Sequence, residues 1–262
     1  MIDLSLIWIL IIGLGVLIYV VLDGFDLGIG ILFPFISDRQ ERDVMMNTVA
    51  PVWDGNETWM VLGGAGLFAA FPLVYSTVLS ALYMPIILMV IALIFRGVAF
   101  EFRFKANKTK HLWDQAFIWG SILSSFLQGV ILGAYIQGIE TTNGIYTGGG
   151  LDWLTPFSLF TGISVVVLYA TLGCGWLIFK TEKMLQNRMF ELMPKLLISL
   201  LMIFVCVSIY TPLAHPQIAE RWFSQPQLFY FSPVPVLVLL FTFLAIKACK
   251  QRKEFLPFIY TL

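Results

Sequence analysis

Charge is what this chain has least of. Only 12% of its 262 residues are Asp, Glu, Lys or Arg, about half the share of an ordinary soluble domain. Sixteen basic residues balance sixteen acidic ones, so the basic excess that nucleic-acid binding requires is missing. With 59% hydrophobic residues and a mean hydropathy of +0.87, a water-soluble domain and a disordered tail are excluded too. Histidine is scarcer still. His111 and His215 are the only two, and the spans predicted below place them on opposite membrane faces, where they cannot ligate one haem together. Cys174, Cys206 and Cys249 form no CxxC pair; an odd count argues against a disulfide framework, and they read as small buried hydrophobes. No metal-ligand spacing, P-loop or GxGxxG is present. The start, Met1-Ile2-Asp3, lacks the basic region of a cleavable signal. An integral membrane protein remains.

A membrane-crossing helix needs about 20 mostly apolar residues. Seven runs qualify, at roughly 4–36, 56–74, 78–102, 115–138, 157–179, 195–213 and 231–248. They do not alternate, which excludes an outer-membrane barrel. The expected fold is all-α: a polytopic membrane helical bundle of seven transmembrane helices plus the start of an eighth at Phe255–Leu262. The Thr147–Gly150 stretch reads as a flexible loop. Trp53, Trp59, Trp113 and Trp153 fall near span ends and read as an aromatic belt. If the seven spans alternate, 14 of the 16 basic residues lie on one side, Arg221 lies opposite and Arg96 lies inside the third span. The positive-inside rule then puts the N-terminus outside and the basic loops in the cytoplasm.

Five acids and one arginine ignore this rule. Asp23 and Asp26, in Asp-Gly-Phe-Asp-Leu-Gly, are three apart and share a helix face. Gly24 and Gly28 beside them permit a close helix approach or a bend. Asp54 and Glu57, in Trp-Asp-Gly-Asn-Glu-Thr-Trp, fit an N-cap and N3 pair at the start of the second span. Arg96 lies about a turn inside the third run, and Glu101 at its edge. The predicted topology puts all six at similar depth near the cytoplasmic face. Lone charges there are costly and survive by pairing or by lining a wet cavity, and Arg96 is the natural partner for the carboxylates. Lipid burial favours a neutral acid and a nearby guanidinium favours the carboxylate. Acids poised between the two can take up and release protons, whereas arginine only pairs. A cytoplasmic proton path through Asp23, Asp54 and Glu101 is one reading, with Asp26 and Glu57 as further acids; an ion-pair network that merely fastens three helices is the other.

These segments closely resemble subunit II of the cytochrome bd-type quinol oxidases, including the cyanide-insensitive variants. The matching stretches are DGFDLG at 23–28, WDGNETW at 53–59, GLFAAFP at 66–72 and FRGVAFEFR at 95–103. The resemblance implies a bacterial cytoplasmic membrane complex that oxidises quinol and reduces dioxygen to water. In it, haem-bearing subunit I holds two haems b and one haem d, and subunit II ligates none. It further implies a proton path at Asp23, Asp54 and Glu101, a pairing role for Arg96, and an apolar oxygen route near Trp59. A structural quinone, membrane lipids and a small accessory subunit are also compatible partners. Two four-helix bundles are the family's pattern, so the chain divides into a first bundle at about 4–138 and an incomplete second at about 153–262. Two readings from other classes stay open: a proton-coupled transporter using the same cluster, and a purely structural assembly subunit.

Overall fold

A computed structural model describes residues 4–214 and 216–262; Met1-Ile2-Asp3 and His215 lie outside it. Two compact units emerge, one ending at Gly173 and the other beginning at Cys174.

The first unit opens with α1 (Leu4–Leu32), continued by a 3-10 turn at Phe33–Phe35. Its N-terminal half is largely exposed, while every residue from Asp23 to Phe33 is buried. The glycines do not break it. They mark where neighbours touch: a Cβ on Gly24 would stand 2.9 Å from the Tyr169 ring, and one on Gly28 would stand 1.9 Å from the Tyr169 carbonyl oxygen. A short amphipathic helix, α2 (Arg39–Asn47), follows. Asp38 caps it, accepting from the Glu41 amide at 2.9 Å. It interrupts no apolar run, so hydropathy alone passes over it; Asp38 with Glu41 three residues on is the capping pattern that marks it.

Next come α3 (Trp53–Ala70), α4 (Pro72–Arg103) and α5 (Lys110–Gln137). Pro72 at the first position of α4 separates it from α3, because proline starts helices more readily than it continues them. The α4–α5 contact is tight at Gly120, where a Cβ would lie 2.8 Å from both the Ala92 oxygen and the Arg96 nitrogen. A hairpin of β1 (Thr141–Thr142) and β2 (Ile145–Tyr146) turns at Asn143 and Gly144, both with positive φ, as a two-residue hairpin loop demands. The glycine stretch after it is tied down rather than free. Asp152 accepts from the Gly149 amide at 2.6 Å, and the Tyr146 hydroxyl sits 2.6 Å from the Gly149 oxygen. The boundary between units falls inside α6 (Pro156–Lys180).

The second unit continues with α7 (Lys183–Ala214), α8 (Pro216–Phe223), α9 (Gln227–Phe231), α10 (Pro233–Lys250) and the single turn α11 (Leu256–Ile259). α7 begins twelve residues before the predicted span, and its first turns carry Lys183, Arg188, Glu191 and Lys195. Cys174 and Cys249 are buried, Cys206 is exposed, and all three are free thiols.

Six stretches among the described residues are long and apolar enough to cross a membrane: α1 with its 3-10 turn, α4, α5, α6, α7, and residues 227–250. The expected second span, α3, is outside this set. It has only 18 residues, and Asp54, Asn56 and Glu57 occupy its first turns.

Candidate functional site

Arg96 is the centre of the polar cluster. It lies on the buried face of α4 with no exposed surface. Its Nη1 donates to Asp23 Oδ1 at 2.8 Å and its Nη2 to Glu57 Oε2 at 2.8 Å. One planar guanidinium thus bridges α1 and α3, a fork geometry that lysine cannot reproduce. The Asp23 side chain is 1% exposed, while that of Glu57 is 23% exposed. Asp26, one turn further along α1, is completely buried and accepts from Asn56 Nδ2 at 2.9 Å. Among the described residues, Asp23 Oδ2, Asp26 Oδ1 and Arg96 Nε have no hydrogen-bond partner.

Trp53 floors the cluster. Its ring lies 5.7 Å from the Arg96 guanidinium carbon and stacks on Phe100 at 5.0 Å. A residue read as part of an interfacial belt therefore sits against the buried cation. Its helix must start early enough to bring it there, so Val52 takes the N-cap position and Asp54 falls inside the first turn without capping. The aromatic contact continues inward: Phe100 meets Phe117 edge-on at 5.1 Å, and Phe117 meets Phe33 at 4.9 Å.

Of the predicted acids, the structure brings Asp23, Asp26 and Glu57 to Arg96. Asp54 is exposed at the start of α3. Glu101 is exposed as well, 3.8 Å from Lys105. Trp59 is half-buried further along α3. Glu57 and Glu101 share a groove of about 360 Å³, lined also by Trp53, Met60, Leu93 and Gly97; Asp54 and Trp59 do not line it. Glu57 thus faces both the buried arginine and an open surface that carries Glu101.

A second charged layer escaped the sequence reading. Arg103 is fully buried at the end of α4 and pairs with Asp114 and, at 2.6 Å, with Asp43. Lys110 reaches Asp43 at 2.9 Å, and Arg42 reaches Asp114 at 3.1 Å. The network clasps α2, α4 and α5 together, with Phe33 beneath both arginines at 5.3 and 5.4 Å. A usable signal existed. Arg103 is seven residues from Arg96, two helical turns, hence on the same face, whereas Glu101 lies about 140° round the helix.

Burial pushes the Asp43 carboxyl up, but hydrogen bonds from Lys110 and Arg103 outweigh it and hold the group below its ordinary value of 3.8. A lowered folded value adds stability that is complete above the ordinary value and is lost as pH falls through the folded one. The melting temperature in detergent should therefore fall as pH drops below about 4, and Asp43→Asn should flatten that dependence. Parallel pH curves for the two proteins would contradict the clasp's contribution.

His111 is exposed at the first turn of α5; His215 is not among the described residues.

Comparison with known proteins agrees with this architecture. The sequence profile of the family "Cytochrome bd terminal oxidase subunit II" matches residues 4–262. The chain is 34% identical over 197 residues to cytochrome bd-I ubiquinol oxidase subunit 2 of Escherichia coli, covering 71% of this chain and 51% of that protein. It is 34% identical over 191 residues to the probable cytochrome oxidase subunit 2 of Haemophilus influenzae, covering 69% and 50%. It is 30% identical over 252 residues to cytochrome bd ubiquinol oxidase subunit 2 of Bacillus subtilis, covering 94% and 72%. The matches in the first two span about half of each relative's length. In fold it is similar to a chain of the bd oxidase from Geobacillus thermodenitrificans, with a TM-score of 0.82 at 17% identity, covering 100% of this chain and 81% of that one. On the match over 4–262, the chain belongs to the cytochrome bd terminal oxidase subunit II family.

Proposed function

We propose that this chain serves as the haem-free subunit II of a bd-type terminal oxidase in the bacterial cytoplasmic membrane, beside a subunit I that carries two haems b and haem d. The complex would oxidise quinol and reduce dioxygen to water. In this reading α3 also crosses the bilayer, so the N-terminus is outside, α11 begins an eighth span, and the clasp and carboxylates lie toward the cytoplasm. The chain's own contribution is a docking surface for subunit I and a path for protons.

One observation carries the proton reading: Glu57 shares Arg96 with buried Asp23 and opens onto the same groove as Glu101. Asp54 and Glu101 would collect protons at the surface. Glu57 would pass them inward, because a partly exposed carboxylate on a guanidinium can gain and lose a proton without leaving a bare charge in lipid. Asp23 and Asp26 would receive them. Arg96 keeps the carboxylates ionisable and carries no proton itself.

The test uses the assembled oxidase. Glu57→Gln, Asp23→Asn, Asp54→Asn and Glu101→Gln should each lower quinol:oxygen turnover, roughly tenfold or more at the buried positions, with haem content retained. Wild-type turnover in all four would leave the ion-pair network as fastening only. Haem-free transport activity would point instead to a proton-coupled carrier.

A further inference from the structure

Three uncharged polar side chains lie beyond Asp23, away from the groove. The Tyr169 hydroxyl on α6 donates to Gln128 Oε1 on α5 at 2.7 Å, and Gln128 Nε2 donates to the Tyr19 hydroxyl on α1 at 2.8 Å. Tyr19 and Tyr169 are buried, at 6% and 2% exposure. Tyr19 is one turn before Asp23 on the same helix, on the same face. Asp23 has an oxygen that accepts no bond.

Chemistry fixes the direction of this chain. The Tyr19 oxygen accepts from Gln128, which leaves its own proton to donate, and an ionised Asp23 one turn on can only accept and has an unfilled oxygen. Gln128 then has to present its NH2 to Tyr19 and its carbonyl to Tyr169, which must donate. We infer that Tyr19, Gln128 and Tyr169 are positioning residues: a one-way donor chain aimed at Asp23 in its charged form, which closes the proton path on the side of α5 and α6. The carboxamide in the middle supports the second half of this statement. It has no free proton to pass without becoming an imidic acid, so protons arriving at Asp23 have no branch toward α5 and α6. The inference rests on the proposed proton role of Asp23.

Tyr169→Phe is the sharpest probe, because the ring still packs on Gly24 while only the hydroxyl goes. Without its donor, Gln128 is free to turn its carbonyl toward Tyr19. Turnover of the assembled oxidase should fall roughly threefold in Tyr169→Phe and roughly tenfold in Gln128→Leu and Tyr19→Phe, on the scale of a lost charge-assisted hydrogen bond. The pH profile of turnover should be displaced rather than scaled, with complex yield and haem content unchanged. An undisplaced pH profile in Tyr169→Phe and Tyr19→Phe, beside an Asp23→Asn enzyme that has lost turnover, would overturn the chain and leave the proton path standing. Full turnover in Asp23→Asn would overturn both.

Discussion

Replacing Arg96 by glutamine should destabilise the first unit by about 3–5 kcal/mol, the scale on which removal of one partner from a buried ion pair is felt. The arginine is completely enclosed, and so is Asp23. Glutamine can donate to one carboxylate but neutralises neither. Asp23 would be left as an uncompensated charge among apolar side chains, and Glu57 would lose the same anchor. The expected readout is a sharp fall in melting temperature and yield in detergent. Arg96→Lys should rescue only part of it, because a single ammonium cannot hold Asp23 and Glu57 in the two-pronged geometry observed. Adding Asp23→Asn to Arg96→Gln should recover part of the loss, since the double change removes the stranded charge together with its partner. An Arg96→Gln protein that melts with the wild type would mean that Asp23 is neutral in the folded chain.

Gly28→Ala should be nearly as damaging, at about 3 kcal/mol, from one methyl group. The new Cβ would stand 1.9 Å from the Tyr169 carbonyl oxygen and 2.8 Å from the Gly173 nitrogen. Both are backbone atoms of α6, so no rotamer change relieves the overlap and the helices must separate. Gly13 gives the control. It lies on the same helix, and a Cβ there meets nothing within 4 Å. Gly13→Ala should be neutral or slightly stabilising, by up to about 1 kcal/mol, through helix preference. Equal melting temperatures for the two variants would contradict the close approach of α1 and α6.

Apolar runs made the helices legible, and the stranding of charge in such runs marked Asp23, Asp26, Asp54, Glu57, Arg96 and Glu101 as a group, of which Asp54 and Glu101 turn out exposed and unpaired with the arginine. The ends of elements were less so. α4 starts at Pro72 rather than 78, and α7 at Lys183 rather than 195, because a helix does not stop where its lipid-facing part does. Asp54 fits a cap by pattern, but Trp53 enters the helix to reach Arg96 and moves the cap position back to Val52. Arg103 sits at a span edge, where topology alone accounts for a basic residue, so its burial was invisible until Asp43 and Asp114 were seen around it. Tyr19, Gln128 and Tyr169 leave no local trace at all. They are uncharged and far apart in sequence, and only the packing of α1, α5 and α6 makes them neighbours.

The rings of Trp53, Phe100, Phe117 and Phe33 connect the two arginine layers, with Arg96 against the first ring and Arg42 and Arg103 against the last. Such a column works as a gasket. Apart from the Trp53 indole N–H it offers water nothing to bond with, so it separates the clasp from the inner carboxylates, which meet solvent through the Glu57 groove instead. Two charged layers can then be tuned separately, the outer one for holding helices together and the inner one for the proposed passage of protons.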